Sequence, residues 1–255
     1  MKKLLMIGIA AAAFSGAPAI AAELPLKAAP VLFDWTGWYG GVNTGYSWGR
    51  SRTTITNNSL TQPRPLDTII RHRGWEFSGE GGYCWQRNSG LTTANFPTVT
   101  CIEVRYDGPR ERGRITTEVL GDPGTGTPKV PSTIMIGPHL GVLTDANMML
   151  WYVTGGLALG QSTTQFVIDG ATASAEKWKE GFFIGAGIER MIDRHWSWKI
   201  EYDYVRFSGG VNATFPAGAL PAANRLFVDP VVVNGNKGAY DNKISFGINY
   251  HFGSL

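Results

Sequence analysis

The sequence predicts an all-β fold: an eight-stranded antiparallel up-and-down transmembrane β-barrel. Three observations predict it. The first is the segment Lys243 to Phe252, K-I-S-F-G-I-N-Y-H-F, in which Ile244, Phe246, Ile248, Tyr250 and Phe252 share one face. Lys243, Ser245, Gly247, Asn249 and His251 share the other. Successive strand side chains point to opposite faces, and strands of a membrane barrel run apolar-out and polar-in. The second is an export signal over residues 1–21. Lys2 and Lys3 form a basic start, Leu4 to Phe14 an apolar stretch too short to span a bilayer, and Ala19-Ile20-Ala21 an A-x-A cleavage site. The third is that no later run of about 18 apolar residues exists, so the mature chain has no transmembrane helix and is a secreted protein, a periplasmic protein or an outer-membrane barrel.

The elements follow in order. Residues 22–34 contain E-L-P-L-K-A-A-P, rich in Pro and Ala and without periodicity, which reads as a flexible periplasmic leader. The barrel then occupies residues 35–255. In the first strand Trp38, Gly40, Val42, Thr44, Tyr46 and Trp48 alternate with Tyr39, Gly41, Asn43, Gly45 and Ser47. The first set suits lipid; the second is small and polar, as a narrow lumen requires. Ser51 to Arg73 is polar, contains Pro63 and Pro65, and reads as a long loop.

The second strand, Gly74 to Arg87, sets Trp75, Phe77, Tyr83 and Trp85 against Glu76, Ser78, Glu80, Cys84 and Gln86. The third, Val99 to Tyr106, sets Ile102, Val104 and Tyr106 against Cys101, Glu103 and Arg105. Asp107 to Ser132, rich in Gly, Pro and charge, reads as a loop. The fourth strand, Thr133 to Leu143, turns His139 inward; Pro138 cannot donate to the ladder and predicts a bulge or local break. Thr144 to Asn147 (T-D-A-N) is a tight turn. Met148 to Gly160, Trp178 to Arg190 and Ser197 to Phe207 form strands five to seven, separated by a loop at Gln161 to Lys177 and a turn at Met191 to Trp196. Ser208 to Gly238 is the last long loop, before the closing strand. Long and short connections alternate from strand four onward, as when tight periplasmic turns face long extracellular loops. The connection Asn88 to Thr98 is too long for that scheme.

The inward faces collect Glu76, Glu80, Glu103, Arg105, His139, Glu189, Lys199, Glu201, Asp203, Lys243 and His251. Side chains just fill an eight-stranded barrel, and isolated buried charges are costly, so these groups must pair. A salt-bridged plug and a gated ion path both fit this pattern. Cys84 and Cys101 are the only two cysteines, and both lie on polar strand faces. In an exported chain an even pair predicts a disulfide, here closing the overlong connection between strands two and three. A loop of this length contributes about 3 kcal/mol in the chain-entropy model; two free thiols are the competing reading.

Other chemistry finds little support. The formal charge of +3 falls to +1 once Lys2 and Lys3 are set aside, so nucleic acid is not an expected partner. No Cys/His spacing suggests zinc, no glycine-rich phosphate loop is present, and no cofactor is expected. Ser, His and acidic residues occur without a spacing that makes them converge, so an enzyme is not expected. Arg71, His72 and Arg73 form a basic triplet at the rim, suited either to lipopolysaccharide phosphates or to solvent.

W-T-G-W-Y-G-G-V-N-T-G-Y-S-W-G (Trp35 to Gly49) resembles the opening strand of the outer membrane immunogenic proteins, small outer-membrane β-barrels of Gram-negative bacteria. Y-V-T-G-G-L-A-L-G (Tyr152 to Gly160), F-I-G-A-G-I-E-R with W-S-W-K-I-E-Y-D-Y-V-R-F (Phe183 to Phe207) and the closing I-S-F-G-I-N-Y-H-F resemble later strands of the same family. The stretch from Arg87 to Pro131 departs most, and Gly253, Ser254 and Leu255 follow Phe252 where the family usually ends on an aromatic read by the assembly machinery. The resemblance implies an architecture like the OmpA membrane domain, residence in the outer membrane among lipids and lipopolysaccharide, and an envelope-structural and surface-interaction role. Its alternatives are a porin-like channel for small solutes, a lipid A-modifying enzyme, and a soluble lipocalin-like barrel with the apolar face inward.

Overall fold

The computed structural model describes residues 33–57, 66–87, 96–108, 115–119, 122–129, 132–168, 171–215 and 231–253. The expected signal peptide and nearly all of the expected leader lie outside the described residues. Among the described residues eleven strands form: β1 (Gly37–Asn57), β2 (Leu66–Arg87), β3 (Thr98–Asp107), β4 (Ile115–Val119), β5 (Asp122–Lys129), β6 (Thr133–Thr144), β7 (Met149–Ile168), β8 (Ala171–Met191), β9 (Trp196–Phe207), β10 (Val211–Phe215) and β11 (Val231–His251). Eight of them close a barrel in the order β1-β2-β3-β6-β7-β8-β9-β11 and back to β1, every pair antiparallel. Closure satisfies every strand edge, the only arrangement of strands that hydrocarbon tolerates.

The alternation places Trp38 (65% exposed), Val42 (69%) and Phe77 (74%) on the outer surface, while Asn43, Glu76 and Lys243 are buried. The apolar face therefore points outward, which overturns the lipocalin-like alternative. Trp38 and Trp48 bracket this face on β1; ten residues of strand at about 3.3 Å each, tilted by about 40°, span about 25 Å, the height of an outer-membrane apolar band. Trp85, Trp151, Trp196 and Phe252 are exposed near one edge of it, and Trp48, Trp75 and Trp178 near the other. Edge-to-face contacts such as Tyr46–Trp75 and Trp196–Tyr250 tie neighbouring strands within these girdles.

The expected loops are largely strand. β1 and β2 pair without a register shift from Gly37↔Cys84 to Ile55↔Leu66, so most of Ser51 to Arg73 is a two-stranded ribbon. β7 and β8 likewise pair from Met149↔Arg190 to Ile168↔Ala171, through what reads in sequence as the loop Gln161 to Lys177. The reason is physical: a ribbon standing clear of lipid needs no apolar face, so it keeps β-branched residues such as Thr53 and Thr54 but loses the alternation that marks a membrane strand. Parts of the other two expected loops also pair, β5 with β7 and β10 with β11. Pro63, Pro65 and residues 88–95 lie outside the described residues. At Pro138 the β6–β7 register is unchanged, but the pairs expected at Gly137 and Pro138 are missing, a local break rather than a bulge.

At the opposite end the turns are tight. Asp145, Ala146 and Asn147 hold φ values of 53°, 52° and 66°, with the Met148 amide donating to the Asp145 carbonyl at 3.0 Å. Asp and Asn tolerate the left-handed region through local hydrogen bonds; Ala lacks that compensation and incurs about 1–2 kcal/mol. Two predictions follow from this architecture. Replacing Val42 with Arg will lower the stability of the vesicle-reconstituted barrel by about 2–4 kcal/mol, read as a shift in urea midpoint, whereas Asn43→Ser will incur no such lipid penalty. Replacing Ala146 with Gly will raise the same midpoint, by up to about 1 kcal/mol.

Candidate functional site

The lumen is where this sequence gathers its chemistry, and it is filled in tiers. At the short-turn end Trp35, Tyr39, Cys84, Val99, Cys101, Leu143, Leu150, Tyr152 and Met191 form a buried apolar layer, with Phe33 against it. Trp35 is 1% exposed. Its backbone amide donates to Gln86 Oε1 at 2.9 Å and its indole Nε1 to the Asn147 carbonyl at 2.8 Å. The segment before β1 thus enters the barrel mouth as a stopper. Cys84 and Cys101 are register partners across β2 and β3, and a disulfide joins them 17 residues apart in sequence.

Above this layer, all eleven inward residues that the sequence singles out are buried inside the barrel. Glu189 on β8 accepts a short hydrogen bond from the Ser197 hydroxyl and another from Asn249 Nδ2 at 3.0 Å, and lies 3.3 Å from His251 Nε2. Glu103 on β3 accepts from the Tyr39 hydroxyl at 2.6 Å and pairs with His139 Nε2 at 3.3 Å. Lys199 on β9 reaches across to Glu80 on β2 at 2.6 Å, with Glu103 at 3.7 Å and Glu201 at 3.6 Å. Arg105 forks between Glu201, at short range, and Asp203 at 2.7 Å, and Glu201 also accepts from the Tyr152 hydroxyl at 2.5 Å. Lys243 joins Asp107 at 2.9 Å and Glu76 at 3.1 Å. Toward the ribbon end His72 pairs with Asp241, while Met135, Ala158, Phe183, Val205, Phe207 and Ala239 form a second apolar cluster.

Glycine makes this packing possible at two places. A Cβ on Gly41 would collide with the Asn249 side chain, and one on Gly247 with Asn43. The freed space lets Asn43 Nδ2 reach Glu80 at 2.7 Å and Asn249 reach Glu189. Five members of the network escape sequence reading. Tyr39 and Tyr152 look like ordinary strand aromatics. Asp107 falls at an assumed loop boundary, although the alternation Cys101, Glu103, Arg105 continues through it. His72 and Asp241 sit beyond the apolar pattern, and His72 points into the barrel while Arg71 and Arg73 point out, so the rim triplet is not one cluster.

Chemically the arrangement favours cohesion. Among the described residues, eight inward carboxylates face four inward cations, Arg105, Lys179, Lys199 and Lys243, and three histidines. Ser197, His251 and Glu189 bring together a hydroxyl, an imidazole and a carboxylate, but the serine and the acid both meet Nε2 rather than opposite ring nitrogens. A proton relay needs one partner on each nitrogen. No group of His, Cys, Asp and Glu among the described residues is arranged to hold a metal ion.

Residues 7–252 match the family described as outer membrane protein beta-barrel domain. The 31 kDa outer-membrane immunogenic protein of Brucella melitensis biotype 1 is 28% identical over 218 residues, covering 80% of this chain and 87% of that protein. The 25 kDa outer-membrane immunogenic protein of Brucella canis is 22% identical, covering 89% and 92%. Among solved structures, the outer membrane protein OprG from Pseudomonas aeruginosa aligns over 85% of this chain and 97% of its own, at 14% identity and a TM-score of 0.45.

Removing one partner of a buried ion pair strands the other, at a cost of about 3–5 kcal/mol. Lys199→Met will therefore lower the denaturation midpoint strongly. Adding Glu80→Gln to it will recover part of the loss, because one orphaned carboxylate becomes a neutral amide. Equal midpoints for the single and double variants would show that Lys199 does not organise the lumen.

Proposed function

Because the chain belongs to the outer membrane protein beta-barrel domain family, and is an outer-membrane β-barrel protein, we propose that it acts as a closed, non-catalytic barrel that strengthens the envelope and presents its β-ribbons at the cell surface. One observation carries this reading: the lumen is occupied along its length, by the Trp35 layer, the Lys199–Arg105–Lys243 network and the Phe183–Phe207 cluster. A solute path would have to displace Trp35 and at least one pair in each tier above it. Buried, mutually hydrogen-bonded charges of this kind rigidify a core, and a rigid stave suits a mechanical role in the membrane.

The ribbons support the surface role. The β1–β2 and β7–β8 hairpins continue past the aromatic girdle in unbroken register. On this reading their tips face the exterior and the tight turns at Asp145 and Asp193 face the periplasm. The names of the related proteins, immunogenic proteins of the outer membrane, accord with surface exposure.

The test is single-channel recording of the purified, folded protein in a planar bilayer. The expected result is no steady conductance. Stable, voltage-independent current steps would favour the porin-like alternative. Deleting the indole by Trp35→Ala should leave the bilayer electrically silent, since the charged tiers above remain in place.

A further inference from the structure

We propose that the outward face of the β2–β1–β11–β9 wall, just beyond the aromatic girdle, is a binding site for the phosphate groups of an anionic glycolipid headgroup. The proposal rests on the reading that the ribbons face the outside, where such lipids form the leaflet. The residues are Arg50 and Arg52 on β1, Arg71 and Arg73 on β2, Arg206 on β9, and Tyr240 on β11. All five arginines are exposed and on the lipid-facing side of their strands.

Register brings them together. Arg50 lies directly opposite Arg71 on one side and Tyr240 on the other, and Tyr240 lies opposite Arg206. Arg73 is opposite Trp48, so the cluster begins at the edge of the apolar band. Between these side chains the surface is hollowed into two adjoining concavities of about 570 and 650 Å³, with Arg50 and Tyr240 lining both. The Arg50 guanidinium carbon stands 5.1 Å from the centre of the Tyr240 ring, a cation–π contact that orients the fork.

The charge pattern asks for an anion. Like charges directly opposite each other across a strand pair are destabilising, and Arg50 faces Arg71. None of the five arginines has an ion-pair partner among the described residues; the acids on the neighbouring strand, Glu176 and Glu180, make no ion pair with Arg206. The Asp241 carboxylate that is near in sequence points inward to His72. Guanidinium forks match phosphate oxygens bidentately. Two hollows side by side suit two phosphates or a bisphosphorylated sugar. Their position against Trp48 and Trp75, at the boundary of the apolar band, fixes the source as a lipid headgroup rather than a soluble anion.

The experiment compares lipid retained by the full-length protein after reconstitution and repurification from phosphatidylcholine vesicles doped with bisphosphorylated lipid A. Wild type should retain it, and should not retain lipid A whose phosphates have been removed. The triple variant Arg50→Ala/Arg71→Ala/Arg206→Ala should retain about tenfold less or lower, the equivalent of losing at least about 1.4 kcal/mol. Arg190→Ala, at the opposite rim, should retain as much as wild type. Should the triple variant fail to show heat-modifiable gel migration, and so not be folded, Arg50→Ala alone replaces it, with a several-fold loss expected. Equal retention by wild type and the arginine variants would overturn the site. Equal retention of dephosphorylated lipid A would overturn phosphate as the determinant. A rise in unfolding temperature with inorganic pyrophosphate in undoped vesicles, matching that given by lipid A, would overturn the lipid source. Both vesicle leaflets carry the lipid, so the result depends on neither insertion direction nor conductance and fails separately from the closed-barrel reading.

Discussion

Charge inside a barrel this narrow can be tolerated only if it is answered from another strand, and the rest of the structure is arranged around that demand. Lys199 on β9 meets Glu80 on β2; Arg105 on β3 meets Glu201 and Asp203 on β9; Lys243 on β11 meets Asp107 on β3. Each of these pairs crosses the lumen, and none joins nearest neighbours in sequence. A barrel of more strands would separate these groups and hydrate them. A barrel of fewer would leave no room for long side chains. The inward glycines at 41 and 247 are the local adjustment that lets the asparagines supply further donors. Replacement of such a network by apolar residues is often neutral in stability, so its value here is better sought in register. A slip by one residue in any strand would turn its charges into lipid.

Much of this was legible in the sequence, and the reasons for the rest are specific. The period-two pattern located all eight barrel strands because lipid imposes an apolar face on each. It also sorted Glu103 from Ile102 and Lys199 from Ile200. The pattern stopped being informative where lipid stopped, and so the ribbon halves of β1, β2, β7 and β8 read as loops. A local signal for the second ribbon did exist: Asp169-Gly170, a dipeptide typical of tight hairpins. Asp107 was lost to a boundary set one residue early. Tyr39 and Tyr152 were lost for another reason. Alternation says that a tyrosine faces inward, but not that its hydroxyl will find a particular carboxylate two strands away.

The two ends of the lumen differ in kind. The short-turn end is apolar, cross-linked by Cys84–Cys101 and stoppered by a segment that is not itself a barrel strand. The ribbon end is polar on one wall, at His72 and Asp241, and greasy on the other, at Phe183 and Phe207. The stiff end therefore carries the covalent constraint and the tight turns. The end that extends beyond lipid is held by ladder hydrogen bonds and by buried side chains such as Val211, Ala213 and Phe215, and loops and ribbons of that kind vary in sequence with little consequence for the scaffold beneath them.

Trp35 has a consequence for how the molecule can be watched. Its indole touches the β6–β7 turn through Asn147, its backbone is held by Gln86 of β2, and its ring stands edge-on to His251 of the final strand. Those three neighbours come from the beginning, middle and end of the chain, and they surround one point only when the first and last strands have met. The other tryptophans for which exposure is largest, such as Trp38 and Trp75, face outward and respond to lipid. In a variant that keeps Trp35 as the sole one of the nine tryptophans, its emission is therefore an intrinsic optical reporter of circular closure, distinct from the membrane insertion that the outward tryptophans report.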